Sequence, residues 1–254
     1  MDTTMGKLKN FTIPDFGELY SKTYDERMIR WRALCAVDKS RNLLKMTADV
    51  AKPIPSILEV GCGTGAVLRE LAASGVGSTL TGIEIGVTRS KDQQSSLGGG
   101  TIPIDGYDGV RMPYDDASFD LVYATHVLEH VLDERGFLSE MRRVSRQYVY
   151  LEVPCELGVK TSYKSLQKTL NIGHINSYTP ESFALTLETS GLTIRRVELF
   201  DHSYSIHRFA TSSWKAAVKL ATRRTLLRVN PALASRILTY HCGALCERGP
   251  GLKI

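Results

Sequence analysis

The chain has 254 residues, with 43% hydrophobic and 23% charged residues. That composition belongs to a globular protein and excludes disorder, collagen or a coiled coil as its main organisation. No apolar run approaches the roughly 20 residues a bilayer demands. The opening residues, MDTTMGKLKNF, lack the apolar core of a secretory signal. Five cysteines, odd in number and scattered, fit reduced thiols in a cytoplasmic protein better than a disulfide framework. Cys242 and Cys246, four apart, have no second pair at zinc spacing and read as packing thiols on a helix. The net charge of +5 is localised: from Ser205 onward nine basic residues face Glu247 alone, while the preceding chain carries 23 basic and 26 acidic residues. Such a tail suits an anionic partner, with peripheral membrane contact as one option, or a solvated helix face. Lys215, Lys219 and Arg223 would form the exposed stripe of that helix and Trp214, Val218 and Ala221 the buried one. Aromatic residues do not interleave with these cations, so nucleic acid is not an expected partner. Oligomeric state is not legible.

In chain order, residues 25–50 read as helix, with Met28, Trp31, Leu34, Cys35, Val37 and Leu43 near helical spacing. Pro53 and Pro55 punctuate before a short buried strand at 56–60, which runs into Gly61-Cys-Gly-Thr-Gly65 and a helix at 66–73. Strands follow at 79–85 and 101–104, around a glycine cluster at 98–100, and then at 119–124. A helix at 134–144 precedes a strand at 148–153, which ends at Pro154. Thr179 caps a helix with Pro180 at its first position. Strands are expected at 192–200 and 203–209, then helices over 214–246. Strands alternating with helices predict an α/β, doubly wound parallel sheet. The expected divisions are an N-terminal helical cap (1–50), a central domain (51–210) and a basic helical extension (211–254).

Chemistry concentrates in Glu59-Val-Gly61-Cys62-Gly63-Thr-Gly65, between a strand and a helix. Glycines there permit a tight turn and close approach to a ligand, and the helix start offers unpaired N–H groups. Glu84 ends the next strand, 19 residues after Gly65, where a carboxylate can accept from two ribose hydroxyls. Gly61, Gly63 and Ala66 also fit the looser dinucleotide pattern G-x-G-x-x-A, so a NAD or FAD protein stays open on this loop alone.

The run Tyr107-Asp108-Gly109 through Pro113-Tyr-Asp-Asp116 and Phe119-Asp120-Leu-Val122, then His126-Val-Leu-Glu129-His130, resembles class I S-adenosylmethionine-dependent methyltransferases. So do ILEVGCGTG, Glu140-Met-Arg-Arg-Val144, Leu151-Glu-Val-Pro154 and Ser190-Gly-Leu192, and together they span residues 54–200. The resemblance implies a Rossmann-like seven-stranded sheet, last strand antiparallel, with added N- and C-terminal helices, and S-adenosyl-L-methionine as cofactor. By the same resemblance Glu59 would hold the loop and the methionine ammonium, while Gly61, Cys62, Gly63 and Gly65 would line the methionyl and ribose parts. Glu84 would grip the ribose, Ile85 would pack on adenine and Asp108 would take the adenine amino group, with Asp105 as the rival acid. Gly109 would meet a ring nitrogen and Thr125 the methionine end. Asp116 and Asp120 read as turn and capping groups.

Transfer from a sulfonium is an in-line displacement; only an oxygen or protonated nitrogen acceptor needs a base. His126 and His174 are the candidate catalytic groups, with His130 and Tyr178 behind them. In one subgroup of the family Glu-x-x-Glu-His binds metal at this place; here His126 replaces the first Glu, and no metal is expected. The acceptor is expected to be a small molecule, taken at oxygen. The alternatives are a macromolecule or a membrane-attached glycan or lipid, or a non-catalytic dinucleotide-binding role.

Overall fold

The computed structural model describes residues 26–85, 95–97 and 100–251. The expected cap residues before 26, Tyr20 and Tyr24 among them, lie outside the described residues. Helix α1 (Glu26–Met46) leads to β1 (Ile54–Val60), α2 (Ala66–Ser74) and β2 (Gly77–Ile85). A short pair, β3 (Ser95–Leu97) and β4 (Gly100–Ile102), precedes β5 (Ile104–Tyr107) and β6 (Phe119–Thr125). Then come α3 (Glu134–Val144), β7 (Ser145–Pro154), α4 (Tyr163–Thr169), α5 (Pro180–Glu188) and β8 (Thr193–Phe200). Helices α6 (Tyr204–Ala210), α7 (Ser213–Val229) and α8 (Pro231–Ile237) precede the final strand, β9 (His241–Glu247).

Seven strands form one sheet in the order β5-β2-β1-β6-β7-β9-β8, while β3 and β4 pair separately. The neighbours from β5 to β7 run parallel; β9 is antiparallel to both β7 and β8. Each central strand buries both faces, so alternate residues feed two cores. Leu58, Val122, Leu151 and Ala244 belong to one; Ile57, Tyr123, Tyr150 and Leu245 to the other. Burying one such side chain contributes about 1.5–3 kcal/mol, which makes the central strands the rigid floor of the molecule. Strand order reverses between β1 and β6: the chain runs outward from β1 through β2 to β5, then returns to β6 on the other side of β1. That switch point opens a crevice beyond the carboxyl ends of the strands, the usual ligand position in such a sheet.

The carboxyl half of the chain departs from the sequence reading in two places. Residues 203–209, expected as a strand, fall in α6, and the last strand comes instead from 241–247, within the stretch read as helical extension. Cys242 and Cys246 are therefore thiols packed in a strand. Their spacing of four puts them on one face of a strand as readily as on one face of a helix. Helix α1 also differs: Met28 and Val37 are exposed, whereas Asp38, Ser40 and Asn42 are buried. The reason is polar pairing. The Asn42 amide donates to Glu152 (3.1 Å), the Ser203 N–H to Asp38 (2.7 Å) and the Lys39 ammonium to the Thr125 carbonyl (3.2 Å).

Candidate active site

Strand β1 delivers Glu59 and the glycine turn to the switch point. The Gly61 and Cys62 N–H groups both donate to the Ile83 carbonyl, at 2.8 and 3.2 Å, which folds the loop against β2. Gly61 has φ +72°, and a Cβ there would lie 2.5 Å from a Val127 methyl carbon. Gly63 (φ +54°) has open space where a Cβ would stand, with only an Arg32 nitrogen within 4 Å. Gly65, at φ 70°, precedes α2 without a side-chain cap, so the first N–H groups of α2 face the crevice unclaimed by a capping side chain. The Cys62 sulfur packs toward Gly82, where an added Cβ would meet it at 2.7 Å; Cys62 thus offers the crevice its backbone.

Glu84, near the end of β2, reaches across to this loop. Its carboxylate accepts from the Gly63 N–H (2.5 Å) and from the Ile85 N–H (3.0 Å). Burial raises its pKa, against the lowering effect of those two N–H groups. Behind it Glu59 is 2% exposed, and its Oε2 has no hydrogen-bond partner. Burial pushes the Glu59 carboxyl up to about 8. Register pairs Ile85 with Tyr107, which brings residue 108 beside the end of β2. Ile85 is 48% exposed, and a Cβ on Gly109 would lie 3.2 Å from it, so the two form an open apolar step. Asp108 turns its Oδ1 onto the Val110 and Arg111 N–H groups, both at 2.8 Å, and these bonds hold its carboxyl below the usual range. Asp105, the rival acid, accepts from the Tyr114 hydroxyl at 2.9 Å.

The second half of the crevice lies beyond β6, β7 and β9. His126 has φ 59°, a left-handed conformation rare for a non-glycine residue and a common mark of functional sites. Its N–H donates to the Glu152 carbonyl (2.8 Å), and register sets Thr125 opposite Glu152. The ring meets His241, at the start of β9, with Nε2 and Nδ1 2.7 Å apart. His241 Nε2 in turn meets His202 Nε2 at 3.2 Å. Glu152 Oε1 lies 3.6 Å from His126 Nε2 and 3.4 Å from His241 Nδ1, while Oε2 accepts from the Tyr150 hydroxyl at 2.6 Å. On the other side of His126, Nδ1 stands 3.5 Å from Glu129 Oε1. Glu129 is fully buried with both carboxylate oxygens unpartnered, and burial raises it to about 7. Glu129, His130 and His174 also bring ligand atoms within 4.8 Å of one another. Hence Glu129 stands between the two histidines singled out by sequence. His174 is held by Glu156 (3.0 Å), which raises its pKa against the lowering effect of burial. Burial drives His126 well below the ordinary value, so its ring is neutral.

Residues 21–197 match the family model for a methyltransferase domain. This chain belongs to that methyltransferase family. A demethylmenaquinone methyltransferase of Corynebacterium urealyticum is 28% identical over 156 residues, 59% of this chain and 65% of that one. An O-methyltransferase of Penicillium expansum is 36% identical over 94 residues, 35% of this chain and 34% of its own. This chain thus spans less than two thirds of the length of either curated relative. A geranyl diphosphate methyltransferase solved with SAM (S-adenosylmethionine) shares the fold at a TM-score of 0.59 and 13% identity, covering 91% of this chain and 94% of that one.

S-adenosylmethionine is the cofactor of this methyltransferase family, and the crevice residues fit it. The unpartnered buried Glu59 oxygen suits a cationic ammonium, the space over Gly63 admits a close ligand, and Ile85 with Gly109 offers a flat apolar seat. Glu59, Gly61, Cys62, Gly63, Gly65, Glu84, Ile85, Asp108 and Gly109 gather at and just beyond the carboxyl ends of β1, β2 and β5, and Thr125, 5% exposed, ends β6. Tyr178 is elsewhere engaged: its buried hydroxyl bonds Glu134. Asp120 accepts from the Ser56 N–H and hydroxyl and from Arg146, tying β1 to β6 and β7.

Glu152, His202 and His241 were not singled out by the sequence reading. They stand on β7, after β8 and on β9, 50 and 39 residues apart in turn, and no local spacing announces such a cluster. The C-terminal stripe is corrected as well: Trp214 and Val218 are 66% and 58% exposed. Arg223, read as solvated, stacks 4.4 Å over the Tyr240 ring and donates to Asp201 at 2.7 Å. No helix among the described residues is long and apolar enough to cross a membrane.

Proposed function

We propose that this chain transfers the methyl group of S-adenosylmethionine to an oxygen of a small-molecule acceptor by in-line displacement. One observation carries the reading: the glycine turn folded against the Glu84 carboxylate, with the unpaired start of α2 beside it. The bound cofactor supplies a methyl group on a sulfonium, whose departure as a neutral thioether needs no acid. Glu84 would exchange its bond to the Gly63 N–H for bonds from ribose hydroxyls, and Glu59 would hold the ammonium directly or through water. Asp108, the Gly109 N–H and Ile85 would hold the adenine.

The acceptor enters over the histidine edge. As its oxygen attacks the methyl carbon, the oxygen's proton must leave. His174, whose pKa is raised by its hydrogen bond to Glu156, serves in this reading as the base, and His126, lowered by burial, as the acceptor contact. Support for a small acceptor comes from the small-molecule methyltransferase relatives, and for oxygen from the O-methyltransferase of Penicillium expansum. The five free cysteines favour the cytoplasm as its compartment. Calorimetry with S-adenosylmethionine, followed by a labelled-methyl screen of metabolite extracts, tests the proposal. Absence of binding by the pure protein would overturn it.

A second reading has its own observation. Trp214 and Val218 are exposed on α7 beside Lys215, Lys219, Arg224 and Arg228, the pattern of a helix lying on an anionic membrane surface. Salt-sensitive binding to phosphatidylserine vesicles, lost in Trp214→Ala with Val218→Ala, would support a membrane-attached acceptor; equal binding to neutral vesicles would count against it.

A further inference from the structure

The histidine edge has a feature that methyl transfer by itself does not require. Three side chains from three strand ends aim one atom each at a common point, and in Glu152 and His241 the other polar atom is held by an outer partner. Glu152 is 1% exposed; its Oε2 is taken by Tyr150 and Asn42, and Oε1 is left with no hydrogen-bond partner. His241 meets His202 through Nε2 and turns Nδ1 inward. His126 turns Nδ1 toward Glu129 and Nε2 inward. For His241 this is the arrangement by which proteins fix the tautomer of a metal-ligating imidazole, with the far nitrogen bonded to a second group, and the far nitrogen of His126 lies 3.5 Å from the Glu129 carboxylate.

The inward atoms have fitting separations. Glu152 Oε1 lies 3.6 Å from His126 Nε2 and 3.4 Å from His241 Nδ1. Ligands about 2.0–2.1 Å from a tetrahedral ion stand about 3.3–3.4 Å apart. The imidazole nitrogens, at 2.7 Å, are closer than that, as one N–H···N hydrogen bond requires. An ion would replace that proton and part the rings by about 0.6 Å. Two imidazoles and one carboxylate favour a borderline first-row ion over magnesium or calcium, and they leave coordination positions open. The buried carboxylates Glu129 and Glu152 offset the nearby Lys39 ammonium. His126 and His241 keep 20% and 14% of their side-chain surface, so the site can be reached from solvent.

We propose that His126 Nε2, His241 Nδ1 and Glu152 Oε1 form a binding site for a divalent first-row transition-metal ion of the zinc class, its open positions toward the methyl acceptor. The site differs from the His126-x-x-Glu129-His130 spacing on which no metal was expected, because two of its ligands come from β7 and β9. That the ion would hold an acceptor oxygen rests on the methyl-transfer reading; the ion site itself does not.

The test is a titration of chelator-treated full-length protein with Co²⁺, read by its visible absorption, with zinc as competitor. One equivalent per chain, displaced by zinc, is expected. Glu152→Gln and His241→Ala should abolish the bands at micromolar cobalt, and His202→Ala, which removes only an outer partner, should weaken binding about 10- to 100-fold. Circular dichroism and adenosylmethionine affinity serve as controls for folding and, separately, for the methyl-transfer reading. If His241→Ala does not fold, Glu152→Gln, which keeps the side-chain shape, decides alone. Absence of cobalt bands in the unaltered protein would overturn the site. So would bands that survive both substitutions, or bands lost on His174→Ala instead, which would assign the ion to Glu129, His130 and His174.

Discussion

Glu59 makes cofactor binding a proton-releasing event. Burial holds its carboxyl at about 8 in the free protein. Facing an ammonium, the same group must ionise, because an opposite charge at contact distance lowers a carboxyl pKa by about 1–3 units. At pH 7 roughly nine-tenths of the free protein is protonated there, so with the bound pKa lowered to about 5–7 binding releases roughly 0.4–0.9 proton. Ionising the group costs about 1.4 kcal/mol for each pH unit below 8, so with a bound pKa of about 5–7 affinity should rise about 2- to 8-fold between pH 6 and pH 7. An amino-acid ammonium stays charged over that interval, with a pKa of about 7.7–8.0. The sign is that of a raised carboxyl. Glu59 supports the free fold most below its unfolded pKa, and its protonation opposes binding until pH passes 8. Calorimetry at pH 7 in phosphate and in Tris reads the proton count from the dependence of enthalpy on buffer ionisation. Glu59→Gln should remove both the proton release and the pH dependence. Equal enthalpies in both buffers, with affinity flat from pH 6 to pH 7, would refute the placement of Glu59 beside the ammonium.

Other outcomes follow from single contacts. Glu84→Ala leaves the ribose hydroxyls without their acceptor and should weaken cofactor binding by about 1–3 kcal/mol, measured by calorimetry; unchanged affinity would move the ribose elsewhere. His174→Ala should lower kcat by about 10²- to 10⁴-fold while cofactor affinity stays constant, and the acidic limb of the pH–rate profile should vanish with it. Glu140, hydrogen-bonded by Arg143 at 2.7 Å, has its pKa lowered by that contact, so it adds stability above its unfolded pKa and loses it as pH falls through the folded one. Glu140→Gln should thus cost about 1 kcal/mol at pH 7 and much less near pH 3, read from urea midpoints; an equal cost at both would remove the ion pair from the account.

Most of the amino half of the sheet was legible because its signals are local; the edge strand expected at 101–104 lies instead at Ile104–Tyr107, and Gly100–Ile102 pairs outside the main sheet. A buried strand, a glycine turn and a carboxylate closing the next strand lie within 26 residues, from Glu59 to Glu84, and each element supplies its own pattern. The carboxyl half was not. Helix α1 was readable as a helix, but its buried face mixes polar with apolar residues, since Asp38 and Asn42 answer Ser203, just before α6, and Glu152 on β7. In β9 the run His-Cys-Gly-Ala-Leu-Cys-Glu, buried on both faces, offers no alternation to tell strand from helix, and it follows two helices. The histidine edge depended on that strand, so missing β9 concealed His241 as well.

The insertion of β9 between β7 and β8 orders events during synthesis. A nascent chain carries all other strands of the sheet before residue 241 is made, and until then β7 and β8 expose unpaired edges to each other across a gap. Such edges invite pairing with foreign strands. Closure of the gap seats His241 beside His126 in the same step, so a molecule that has not finished folding also lacks a complete histidine edge.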